Sequence, residues 1–75
     1  MATIIVAFPK LEEAKAVKNL LVRKGYDVAA PCTTGAQVIN QADRLSDGII
    51  VCGYKLADNM IFSEINEYKP KSFEL

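Results

Sequence analysis

The chain has no histidine and only two cysteines, Cys32 and Cys52, among its 75 residues. Those cysteines are too far apart for a CxxC motif, and zinc sites are built from clusters of His and Cys, so the sequence excludes a zinc centre. A surplus of charge is also missing. Nine Lys and Arg residues balance nine Asp and Glu residues, for a formal net charge of zero. Gripping nucleic acid through its phosphates needs a basic excess, so direct nucleic-acid binding by this segment is not expected. A neutral surface also repels its own copies only weakly, which eases self-association. Long apolar runs are lacking too. The opening run, residues 3–8, stops at Pro9 and follows no basic segment, so it is too short for a signal peptide or a membrane span. A cytoplasmic protein with no membrane partner is expected.

What is present is an ordinary globular mixture, 51% hydrophobic and 24% charged, in a chain long enough for one small domain. Short apolar runs alternate with longer helical patterns, the signature of βα units and a parallel sheet. The run at residues 3–8 is continuous rather than alternating, as in a central strand covered on both faces. Pro9 ends it and starts a helix over residues 11–24. There Leu11, Ala14, Val17, Leu20 and Leu21 form an apolar stripe, with Glu12 and Glu13 in the first turn, Arg23 and Lys24 in the last, and Gly25 as the stop. A shorter second strand is expected over residues 26–30, ended by Pro31. Thr34 and Gln37 then have the spacing of a capping box, opening a helix to about residue 45 that buries Val38, Ile39, Ala42 and Leu45. Ser46, Asp47 and Gly48 make a turn into a third strand, residues 48–52. A third helix is expected over residues 58–68 and is stopped by Pro70. Residues 72–75 begin a fourth strand.

This order resembles the first three units of a response-regulator receiver domain. The stretch KNLLVRKGYDV is similar to the receiver's first helix and second strand, and TTGAQVINQADRLSDGIIV to its second helix and third strand. The resemblance implies a three-layer α/β, flavodoxin-like βαβαβα fragment with a parallel sheet of order 2-1-3, truncated near the start of strand 4. In receivers the first strand ends in acidic residues that hold magnesium, and the third carries the phosphorylated aspartate. Those positions fall here on Phe8 and Pro9, and on Cys52 or Gly53. Magnesium takes hard oxygen ligands, which an aromatic ring, a proline, a thiol and a glycine do not supply. Aspartyl phosphorylation therefore has no chemistry to run on, and no catalytic residue, metal or cofactor is assigned. Among receiver-bearing families the chain looks most like the degenerate receiver of an antitermination regulator, whose RNA-binding ANTAR output domain would follow.

Few other residues invite chemistry. Cys52 stands at the acceptor position, but with only Lys55 as a nearby cation a small buried hydrophobe is the favoured reading. In order 2-1-3, Cys32 and Cys52 flank the first strand about 9–10 Å apart, beyond disulfide reach, and both are expected as free thiols. Gly35, Thr33 and Thr34 belong to turn and cap. Tyr54 and Lys55 leave the third strand toward the old active-site region, where they contact a partner or a small anion, or are simply a polar loop. Asp58, Glu64 and Glu67 mark a solvated face, and Lys69 and Lys71 are too few for a nucleic-acid patch. A chain ending at Leu75 leaves the third strand with an unpaired edge on a small core. The expectation is therefore a non-catalytic receiver-like module acting by protein–protein interaction, a homo-oligomer formed through that edge or the tail at residues 72–75. The alternative is a small-ligand sensor using the crevice at the strand ends, near Ala7, Phe8, Cys52 and Tyr54. A thiol enzyme acting through Cys52 comes last.

Overall fold

The structure, a computed structural model, describes residues 3–45 and 47–75. Ser46, part of the expected turn, lies outside the described residues. The elements in chain order are β1 (Thr3–Ala7), α1 (Leu11–Arg23), α2 (Gly35–Arg44), β2 (Gly48–Cys52), α3 (Phe62–Tyr68) and β3 (Phe73–Glu74). The three strands form an open parallel sheet in the order β1-β2-β3. Thr3 lies opposite Gly48 and Ala7 opposite Cys52, while Phe73 and Glu74 lie opposite Gly48 and Ile49.

The continuous apolar run of β1 has the expected cause, burial on both faces. Ile4 and Val6 pack with Ala14 of α1, alongside half-buried Val17, Leu21 and Val51. Ile5 and Ala7, pointing the other way, join Val38 and Ala42 of α2, Ile65 of α3, Ile50 and Phe73. Alternation along one strand thus divides the core into two clusters, one per face of the sheet.

The helix ends follow local rules. At the end of α1 the Gly25 N–H donates to the Val22 carbonyl and the Tyr26 N–H to that of Leu21, at 3.0 and 3.2 Å. This is a Schellman closure, and it needs the left-handed φ of 93° that Gly25 adopts. The capping box at α2 is present. Thr34 Oγ1 accepts from the Gln37 N–H at 3.2 Å, and Gln37 Oε1 accepts from the Thr34 N–H at 3.3 Å.

Two expectations are corrected. The second strand over residues 26–30 does not form, so the regular strands do not take the order 2-1-3. This segment meets the other edge of β1 only through isolated parallel bridges, Ile4 with Val28 and Ala7 with Cys32. The reason is Pro31. The Ala29 N–H donates to the Ile4 carbonyl, and in regular register the next donor, to the Val6 carbonyl, would be residue 31. Proline has no N–H, so the chain slips by one residue and the Cys32 N–H takes that place at 2.9 Å. The third helix begins at Phe62 rather than near residue 58, because residues 56–60 fold as a turn closed by Leu56 and Met60, with Asn59 at a φ of 67°. The tail at residues 72–75, expected to begin a strand, does so as β3, which pairs with β2 of its own chain.

Gly48 shows how tightly β2 is held. A Cβ added there would stand 2.1 Å from the Thr3 carbonyl oxygen and 2.8 Å from the Phe73 ring. Because one of those neighbours is backbone, relaxation is costly. Gly48→Ala is expected to destabilise the domain by about 3 kcal/mol, read as a lower urea midpoint at unchanged slope.

Candidate functional site

In open α/β sheets the carboxyl ends of the strands are where sites are built. Here the positions expected there do come together, at the ends of β1 and β2. Phe8 follows β1, half-buried, and its N–H donates to the Cys32 carbonyl at 3.1 Å. The Gly53 N–H donates to the Ala7 carbonyl at 3.0 Å, which carries the chain past the end of β2. A Cβ on Gly53 would lie 3.4 Å from both the Phe8 ring and the Pro9 ring. Phe8 and exposed Pro9 therefore lie beside Gly53, with room for a methyl group between them. A magnesium ion, implied by the receiver resemblance, does not fit these residues, since their side chains offer no oxygen ligand. Among the described residues no cluster of three His, Cys, Asp or Glu side chains could hold a metal.

The cysteines lie on either side of Ala7, Cys32 bridged to it from one edge of β1 and Cys52 opposite it on β2. Two strand spacings, about 9–10 Å, separate them. Both are free thiols, and burial pushes both pKa values up. The buried Cys32 thiol donates to the Ala30 carbonyl at 3.6 Å. A thiol held protonated is a poor nucleophile.

Tyr54 and Lys55 are both exposed, Tyr54 at 77%. Their backbone belongs to a short antiparallel contact: Lys55 bridges Ile61, and the Tyr54 carbonyl accepts from the Phe62 N–H at 2.7 Å. That contact starts a loop which docks on α2. The Ala57 N–H donates to the Thr33 carbonyl at 2.9 Å, Leu56 is buried, and Met60 presses so closely on Gly35 that a Cβ there would meet its sulfur.

Asp58 completes the docking; it is exposed, as expected from sequence, but it lies on the loop before α3 and its carboxylate is engaged. Its Oδ1 accepts from the Gly35 N–H at 3.0 Å and its Oδ2 from the Ala36 N–H at 3.2 Å, from 23 and 22 residues away. Oδ1 also accepts from the Met60 N–H at 3.3 Å. With Thr34 on Gln37, the first amides of α2 are all engaged. The N-terminus that would attract an external anion holds a carboxylate from its own chain. Slight desolvation pushes the Asp58 pKa up, but the backbone donors outweigh it and the carboxyl titrates below its ordinary range. Glu64 acts similarly and locally, accepting from the Ile61 N–H at 3.2 Å at the start of α3.

Sequence reasoning also missed a feature at the sheet edge. Between residues 29–31 and α2 lie two adjoining grooves of about 320 and 300 Å³, both lined by Ala30, Gln41 and Arg44. Gln41 Nε2 donates to the Ala30 carbonyl at 3.2 Å, whereas Gln41 Oε1 is buried with no donor. An orphaned acceptor of this kind costs about 1–3 kcal/mol. Flipping the amide would not help, because it would set Oε1 against the Ala30 carbonyl.

Comparison with protein-family models, with curated proteins and with solved structures finds no match to this chain. No helix among the described residues is long and apolar enough to cross a membrane.

Replacing Asp58 tests the docking contact. Its folded pKa is depressed, so its stabilisation is present above the ordinary carboxylate pKa and is lost as pH falls through the lowered value. Asp58→Ala is expected to cost about 1 kcal/mol at pH 7, and the gap to the parent chain should narrow below about pH 4, as measured by urea unfolding across pH.

Proposed function

We propose that this chain is a non-catalytic, receiver-like interaction module of a response-regulator-type transcription antitermination regulator, working by self-association and without aspartyl phosphorylation. The observation that carries this reading is the state of the strand ends. The positions that a phosphoryl-accepting site would fill with carboxylates are Phe8, Pro9, Cys52 and Gly53, and none of their side chains offers an oxygen ligand. The Asp58 carboxylate, on the loop that follows β2, is bound to the α2 amides.

The surface offered for association is the β2–β3 edge. β3 pairs with Gly48 and Ile49, so among the described residues the outward backbone of β2 beyond Ile50 has no strand beside it. Ile49, on the α1 side of a strand flanked by two others, is 42% exposed, where strands of such sheets are ordinarily covered. The opposite edge is blunted by the register slip at Pro31 and by the Gln41 amide on the Ala30 carbonyl. The unprotected edge and a neutral surface favour pairing with a second copy. Ligand sensing at the strand ends has less support, because the α2 amides that could receive a ligand there are taken by Asp58.

Two measurements test the proposal. Incubation with acetyl phosphate and magnesium is expected to leave the mass unchanged, and a stable acyl-phosphate adduct would overturn the non-catalytic reading. Sedimentation equilibrium at micromolar concentration is expected to give a dimer or larger species; a monomer throughout would remove self-association.

A further inference from the structure

The groove between residues 29–31 and α2 is built from an unusual side of a helix. The buried positions of α2 are Gly35, Val38 and Ala42, which face the core. Beside them run Gln37, Asn40, Gln41 and Arg44 at three- and four-residue spacing, and all four line the groove. Across from them the chain is apolar and small, Ala29, Ala30 and Pro31, with Leu45 closing one end. Pro31 shapes this wall, since the register slip it forces carries the chain off the regular path of a strand. No acidic side chain lines the groove, so its one charge is the Arg44 guanidinium.

We propose that this groove binds a carboxylate adjoining an amide N–H and a short apolar group, the chemistry shared by an N-acyl amino acid and a peptide C-terminus. Arg44 presents a planar fork of donors that matches a carboxylate. Gln37 Oε1 is taken by the Thr33 and Thr34 amides, which leaves its Nε2 to donate toward the groove. Gln41 Oε1 is the complementary group, a buried acceptor with no donor in the wall of the groove, and on this proposal it turns to meet the ligand's N–H. The alanine and proline wall suits a methyl-sized side chain. A ligand with this pairing satisfies an anion-seeking and a donor-seeking group at once, which a simple anion does not. This site is distinct from the β2–β3 edge and stands whether or not that edge pairs.

N-acetylalanine is the probe, titrated into the intact chain and followed by amide chemical shifts. The expected result is saturable binding in about the millimolar range, ordinary for so small a molecule, with shifts centred on Ala30, Gln41 and Arg44. Its methyl ester, which lacks the carboxylate, is expected to bind at least about tenfold more weakly, as is N-acetylalanine to Arg44→Gln. Propionate, which lacks the N–H, should fall between. Arg23→Gln, an exposed change at the end of α1, should leave binding intact. Acetyl-trialanine separates the two sources: tighter binding than N-acetylalanine assigns a peptide C-terminus, and equal binding a free acid. Binding of the ester as tight as that of the acid, equal loss in Arg23→Gln, or no saturable shift would each overturn the proposal.

Discussion

The carboxylate of Asp58 ties together parts of the chain that no local rule would join. It takes the first two amides of α2 and the Met60 amide into one set of hydrogen bonds. A helix start buried without partners would be costly, and the loop after β2 would otherwise have only its turn to hold it. The contact therefore orients α2, which covers one face of β1, and sets the loop from which α3 departs. Leu56 and Ile65 reach the core from either side of that loop. It also determines what the strand ends can do, because the helix terminus that could have received an anion is already occupied.

Around this contact the sheet has two unlike edges. On one side Pro31 breaks the pairing with β1, and the Gln41 amide covers the carbonyl that the break exposes. A further strand adds poorly to such an edge. On the other side β3 is two residues long, and among the described residues nothing pairs with the outward side of β2 beyond it. Phe73, buried beside Gly48, anchors β3 without extending it. The proposed association through one edge and not the other rests on that asymmetry.

The parts legible in the sequence were those decided by neighbours. The double-sided burial of β1 shows in its unbroken apolar run, the closure of α1 in Gly25, and the α2 cap in the spacing of Thr34 and Gln37. Legibility failed where partners are distant. Residues 26–30 have the composition of a strand, but which donor the Val6 carbonyl needs, and that the residue in line is proline, appears only once β1 is set beside them. Asp58 is the surface acid it looked like, but its bonds were hidden because its amides lie 22 and 23 residues earlier. The Asp58-Asn59 pair did carry a local hint of a turn rather than a helix start, since Asn tolerates the left-handed conformation found there. The groove was illegible for the same reason as the slip, since its wall is the displaced segment.

The account rests on the β2 edge being completed by another copy rather than left to solvent. The Gly53 N–H points to β1, so by strand alternation the Cys52 N–H points away from it, past the reach of β3. Hydrogen exchange at the Cys52 amide, measured from low to high protein concentration, reads that edge directly. Exchange that slows markedly as concentration rises is the predicted result. Equally fast exchange at every concentration would contradict it.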